Sequence, residues 1–137
     1  DRMIKIPDTT SILIQPMLSG TELTAGAKRE DKFGHTILCG LGGIFIEIMK
    51  DVKTGLVPLA KDESLSMIRN LQGYGILAGA RGQERINENK FADILTRISA
   101  LVEVAPEIFE MDLNPLLGKG DQVIAVDARI RIEKEEV

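Results

Sequence analysis

The sequence predicts an α/β subdomain in which a mostly antiparallel sheet carries helices packed on one face, near residues 62–71 and 89–104. Three observations lead there. The strand-like runs alternate apolar with polar residues instead of running continuously apolar, the pattern of strands with one face buried and one wet. Between Asn89 and Val104, the residues Phe91, Ile94, Leu95, Ile98, Leu101 and Val102 recur at helical spacing as one apolar stripe. At 137 residues the chain has room for a single domain with a buried core.

The elements follow in chain order. "SILIQPML" (11–18) reads as a short β run, and Pro16 makes it an edge or an irregular end. Gly20 permits a turn into "TELTAGAKRE", the next extended stretch. "KFGHTILCG" is a strand reached through Gly34, and "GIFIEIM" and "VKTGLVPL" read as strands flanking Lys50 and Asp51, so a meander is the simplest arrangement. From Asp62, the expected N-cap, "DESLSMIRNL" places Leu65, Ile68 and Leu71 at helical spacing. "GYGILAGARGQE" is glycine-rich, the 89–104 helix follows, and Pro106 ends it. "EIFEMDLNPLL" and "QVIAVDARIRI" form two closing strands joined by "GKGD", and "EKEEV" reads as a solvated charged tail.

Composition narrows the function. A net charge of −4 with no basic stripe argues against nucleic acid or an anionic membrane as partner. The apolar runs are too short to span a bilayer and no secretory signal opens the chain, so the cytoplasm is expected. One cysteine, Cys39, cannot form an internal disulfide and reads as a small buried hydrophobe. A single histidine without a cysteine cluster removes the usual zinc patterns.

The closing hairpin holds the sharpest chemical signal. Alternation sets Phe109, Met111 and Leu113 on one face and Glu110, Asp112 and Asn114 on the other, while Asp127, Arg129 and Arg131 alternate with Ala128 and Ile130. Matching apolar to apolar across "GKGD" places Met111 opposite Ala128 and Leu113 opposite Val126. Asp112 then faces Asp127, and Glu110 faces Arg129. Facing carboxylates repel unless something positive lies between them. Mg²⁺ is held by one or two carboxylates, with water and phosphate completing its shell, a role that suits Asp112, Asn114 and Asp127. The same spacing also fits two aspartates at a solvated strand edge, and Pro115 can insert a bulge that shifts the register.

"GLGGIF" (40–45) is neither a dinucleotide fingerprint nor a P-loop, since Phe45 stands where a third glycine belongs and no Gly-Lys-Ser/Thr follows. Gly42 and Gly43 fit a phosphate cradle of backbone N–H groups or a plain tight turn. Glu47 fits an orienting charge or a solvent-facing partner of Lys50. Arg81, in "GARG", fits a phosphate ligand or a surface charge.

Taken together, "QPML…GTEL…GAKRE…FG…GLGGIFIEIMKD…PL…LAGARG…PEIFEMDLNPLL…AVDARIRI" resembles the ATP-grasp domain of NDP-forming acyl-CoA synthetases, relatives of succinyl-CoA synthetase β subunits, from about Ile12 to Ile132. The resemblance implies an ATP-grasp C-terminal subdomain over 12–132 with flanking segments 1–11 and 133–137. It further implies ATP/ADP and Mg as cofactors, and phosphoryl transfer between ATP, a phosphohistidine and an acyl phosphate on the way to a CoA thioester. By that resemblance Asn114 and Asp127 bind the metal with Asp112 beside them, and Gln15 and Met17 lie by the adenine. Glu22 lies close to the nucleotide. Beyond the resemblance, Gly42 and Gly43 are expected to form a turn facing the nucleotide phosphates or the incoming phosphoryl group, with Glu47 and Arg81 nearby as orienting, catalytic charges.

Two departures bear on this reading. The family's N-terminal ATP-grasp subdomain, with its nucleotide-contacting lysine, is not in the sequence, so the implied partners are that subdomain, a CoA-binding domain or subunit, the acid and CoA. Isolated, the chain is expected to be inactive. His35 stands in "FGHT" where relatives tend to carry proline, so no catalytic role is expected of it, and Glu30 replaces a usual aspartate. Two other classes fit the same residues: a ligand-sensing ATP-grasp-like module of a lysine acetyltransferase fusion, and a structural piece that only forms an interface.

Overall fold

The structure, a computed structural model, describes residue 2 and residues 4–134. Its elements are β1 (Thr21–Glu30), β2 (Gly34–Leu41), a π-helical turn (Phe45–Met49), β3 (Val52–Leu56), α1 (Lys61–Arg69), α2 (Tyr74–Leu77), a 3₁₀ turn (Ala80–Gly82), α3 (Glu88–Val104), β4 (Ile108–Lys119), β5 (Gln122–Ala125) and β6 (Ala128–Ile132). All described pairings are antiparallel, in the order β3-β2-β1-β4-β5, and β6 continues along the same edge of β4.

One sheet face is packed. Leu23, Ala25 and Ala27 of β1 and Ile37, Cys39 and Leu41 of β2 point to the helices, where Ile68, Leu77, Phe91, Leu95, Ile98 and Val102 close the core. This is the expected α3 stripe, except that Leu101 sits at its margin, 37% exposed. Asn87 caps α3 by accepting from the N–H groups of Asn89 and Lys90. The first helix begins one residue before the expected cap. Ala60 is its N-cap, the Glu63 carboxylate accepts the Ala60 N–H at 3.0 Å, and Asp62 falls in the first turn. Cys39 is fully buried, and burial, with Asp51 nearby, pushes its thiol up to about 12, as a packed hydrophobe requires.

Three sequence expectations need correction. Residues 11–18 form no strand. Their side chains are exposed, because Pro16 lacks a donor and no described strand lies alongside. Residues 45–49 are a π-helical turn, not a strand: Gly43 turns the chain at φ 61°, the Asp51 N–H reaches back to the Phe45 carbonyl, and Lys50 ends the turn in the left-handed region.

The closing hairpin is tighter than read. Its strands run on through Gly118 and Lys119 to a two-residue turn at Gly120–Asp121, with Lys119 paired to Gln122. Asp112 therefore faces Arg129, not Asp127, and Glu110 faces Arg131. The second strand breaks at Val126–Asp127, and carrying the register through that break sets Asn114 opposite Asp127. Pro115 does bring an irregularity: β1 pairs Leu23 with Leu116 but Ala25 with Leu113, so one extra residue of β4 bulges at Asn114–Pro115. Of the expected charged tail, residues 135–137 lie outside the described residues, whereas Glu133 is half-buried and pairs with Arg29 and Arg131.

Candidate functional site

The helices cover one side of the sheet, and the other side collects the polar residues. Along β1 it presents Glu22, Thr24, Gly26 and Lys28, along β4 Glu110 and Asp112, and along β6 Arg129 and Arg131. A cavity of about 220 Å³ lies on this face, lined by Gly26, Lys28, Thr36, Leu38, Glu110 and Asp112. Gly26 keeps the trough open beside Asp112, because a Cβ there would stand 2.5 Å from the Met111 carbonyl oxygen.

Asp112 faces Arg129, which pairs with Asp127, and the register carried through the strand break sets Asn114 opposite Asp127. Asp112 is half-buried, and burial raises its carboxyl above the usual range; the Arg129 guanidinium opposes that rise, while Glu110 and Asp127 add to it. Asp127 lies at the strand break, where its Oδ1 accepts the Ala128 N–H at 3.0 Å and its Oδ2 stands 3.9 Å from Arg129 Nε. Asp112, Asn114 and Asp127 offer hard oxygen donors, the ligand type that suits Mg²⁺. Among the described residues no three His, Cys, Asp or Glu side chains gather as a metal cluster, so two carboxylates and an amide would leave positions for water and phosphate.

Glu22 and the glycine turn form one unit. The Gly42 N–H donates to the Glu22 carbonyl at 2.7 Å. A Cβ on Gly42 would meet Glu22 Cβ at 3.0 Å, and one on Gly43 would meet Glu22 Oε2 at 2.5 Å. The bare backbone thus lets a carboxylate lie directly over the turn, with the Gly42 N–H already spent. Glu47 follows on the π-helical turn, exposed, between the exposed apolar side chains Ile44, Ile48 and Met49. That turn is anchored behind by buried Asp51, whose two oxygens accept the N–H groups of Gln72 and Gly73, both at 2.8 Å.

Arg81 occupies the 3₁₀ turn at φ 59°, ψ 33°, between Gly79 and Gly82, which also have positive φ. It is exposed, and among the described residues it makes no ion pair with Glu47 or any other acid. A side chain held in the left-handed region carries a backbone cost. Gln15 and Met17 lie on the extended arm before β1, Met17 at 97% exposure. His35 is buried and its Nε2 donates to the Ile108 carbonyl at 2.6 Å. The sequence reading set Arg129 opposite Glu110 and so missed it as the partner of Asp112; the compact Gly120–Asp121 turn is the signal that fixes the register.

A family model described as an ATP-grasp domain matches residues 5–132. The chain is 44% identical over 124 residues to the acetate–CoA ligase [ADP-forming] I subunit beta of Pyrococcus furiosus, covering 90% of this chain and 53% of that one. It is 38% identical over 125 residues to acetate–CoA ligase [ADP-forming] I of Archaeoglobus fulgidus, covering 90% of this chain and 18% of that protein. Among solved structures it resembles the dinucleotide forming acetyl-coenzyme A synthetase 1 of Ca. Korarchaeum cryptofilum in complex with coenzyme A and Mg-AMPPCP, with its phosphohistidine segment pointing towards the nucleotide binding site. There the TM-score is 0.82 and the identity 37%, over 85% of this chain and 55% of that one. The chain thus spans about half the length of the Pyrococcus furiosus subunit and a smaller share of the Archaeoglobus fulgidus ligase.

Proposed function

The chain belongs to the ATP-grasp domain family, and from that premise we propose that residues 12–132 are the C-terminal ATP-grasp subdomain of an ADP-forming acyl-CoA synthetase. The whole enzyme interconverts a carboxylic acid, CoA and ATP with acyl-CoA, ADP and phosphate through acyl-phosphate and phosphohistidine intermediates. Its partners are an N-terminal ATP-grasp subdomain and a CoA-binding domain or subunit, and it works in the cytoplasm. Among the described residues no helix is long and apolar enough to cross a membrane. The named relatives are ligases and synthetases, and nothing on the sheet favours the acetyltransferase-fusion or purely structural reading.

One observation carries the proposal: on the sheet face left free of helices, Asp112 lines an open cavity opposite Arg129, which pairs with Asp127. Asp112, Asn114 and Asp127 would hold Mg²⁺, which would supply positive charge to neutralise that on the transferred phosphoryl group. The protein's own groups do the rest. Glu22, an acceptor, suits the amine and hydroxyl groups of the nucleotide better than its phosphates. Gln15 and Met17, on the exposed arm, lie against the adenine. Gly42 and Gly43 supply a bare turn beside Glu22 as the phosphate-facing element. Arg81 offers a planar fork to phosphate oxygens, and Glu47 orients the incoming phosphoryl carrier.

Calorimetric titration of Mg-AMPPCP into the complete enzyme tests this. Asp127→Asn should weaken binding at least tenfold while leaving Mg-free AMP binding alone, since a charge-assisted metal contact is lost. Equal Mg-AMPPCP affinity in both proteins would remove the metal assignment.

A further inference from the structure

Three arginines lie near the edge strand β6, and two of them are occupied. Arg131 stacks on the Phe109 ring at 4.6 Å and pairs with Glu133. Arg29 donates to the Pro106 carbonyl at 3.0 Å, pairs with Glu133 at 3.7 Å, and stands 5.5 Å from the same ring. Arg129 has no such tether. It faces Asp112 across the ladder, its one ionic contact among the described residues is Asp127 at 3.9 Å, and its side chain is 84% exposed beside a cavity of about 290 Å³ shared with Glu110 and Asp112.

We infer that Arg129 is a phosphate-positioning residue: it stands as counter-ion to Asp112 and Asp127 while the metal is away, and turns to the terminal phosphate of the nucleotide when Mg-nucleotide binds. The inference rests on the metal reading above and adds a residue to it. The physical reasons are three. An exposed ion pair at this length is weak and screened, so the guanidinium leaves it at little cost. A divalent cation arriving at the same carboxylates repels Arg129 at close range and releases it. The free sheet face is where the phosphates would lie, and a guanidinium fork meets two phosphate oxygens at once. Arg131, held against Phe109 and Glu133, lacks that freedom.

The two roles give Arg129 effects of opposite sign, which a packing role does not. In the complete enzyme Arg129→Gln should bind Mg²⁺ alone about fivefold more tightly, because a competing positive charge near 4 Å is gone. The same variant should bind Mg-AMPPCP about tenfold more weakly, having lost a bidentate contact. AMP, which lacks the terminal phosphate, should bind unchanged. Arg129→Lys should restore the Mg²⁺ affinity but only part of the Mg-AMPPCP affinity, since an ammonium is a point charge without the fork. Unchanged affinities in Arg129→Gln, or a fall in Mg²⁺, Mg-AMPPCP and AMP binding together, would overturn the inference. Asp127→Asn serves as the reference. If it loses Mg²⁺ binding while Arg129→Gln changes nothing, the metal site stands and only the role of Arg129 falls. If it keeps Mg²⁺ binding, both fall.

Discussion

At the scale of single residues, Asp112 and Arg81 both carry a cost in the folded chain. Half-burial and the nearby carboxylates of Glu110 and Asp127 raise the Asp112 carboxyl, although Arg129 lies across the ladder. A carboxyl raised in the folded state contributes stability that is present below its unfolded value and lost as pH rises through its folded one. Asp112→Asn should therefore raise the melting temperature at pH 7 by about 2 °C, on the scale of relieving a partly exposed like-charge contact. The gain should vanish in acid, where the wild-type carboxyl is protonated in both states. Melts at pH 7 and near pH 3 check this, and a lower melting temperature at pH 7 would show that the Arg129 pair outweighs the repulsion. Arg81 bears a backbone cost. Arg81→Gly should stabilise the chain by about 1 kcal/mol by removing a left-handed side chain. In the complete enzyme it should depress turnover, and Arg81→Lys should do so with no gain in stability. Unchanged kinetics in both variants would return Arg81 to the role of a surface charge.

At the scale of elements, α1, α2 and α3 meet at Glu88. Arg69 donates to its carboxylate through Nη2 at 2.6 Å, and the Tyr74 hydroxyl donates at 2.8 Å. The Arg69 contact, helped by Tyr74 and opposed by burial, holds the Glu88 carboxyl below its ordinary range. The sign is opposite to that of Asp112: this stability is present above the unfolded value and lost as pH falls through the folded one. Glu88→Gln should lower the melting temperature at pH 7 and converge with wild type in acid; a constant difference at every pH would mean that shape, not charge, matters there. How far the elements could be read depends on what fixes each of them. The α3 stripe is local, so Phe91, Leu95, Ile98 and Val102 were legible from spacing. Leu95→Ala there should cost about 3 kcal/mol in denaturant unfolding. The hairpin partners were harder, because a two-residue slip leaves every side chain on its own face. Alternation could therefore gather Asp112, Asn114 and Asp127 on one face, yet it misplaced Arg129. The π-helical turn at 45–49 depends on Gly43 at positive φ and on Asp51 reaching Gln72 and Gly73, contacts that an apolar run does not reveal.

At the scale of the whole molecule, surface is unequally spent. The packed sheet face holds the core, while the extended arm leaves Leu13 80%, Ile14 89% and Met17 97% exposed. Among the described residues, no backbone group between Thr10 and Ser19 makes a hydrogen bond. Exposed apolar side chains on an unpaired backbone are the chemistry that a partner can cover. On the proposed function that partner is the N-terminal ATP-grasp subdomain, and the adenine lies where the two halves meet. Hydrogen exchange distinguishes this from a loose terminus. In the 137-residue chain, amides 10–19 should exchange almost as fast as an unfolded peptide, while β1 and β4, paired along both edges, exchange slowly. In the complete enzyme the arm should gain protection, and Mg-AMPPCP should add more around Gln15 and Met17. If 10–19 stay unprotected in the complete enzyme with nucleotide bound, the arm is no part of the nucleotide site. If they are already protected in the isolated chain, the arm folds without a partner.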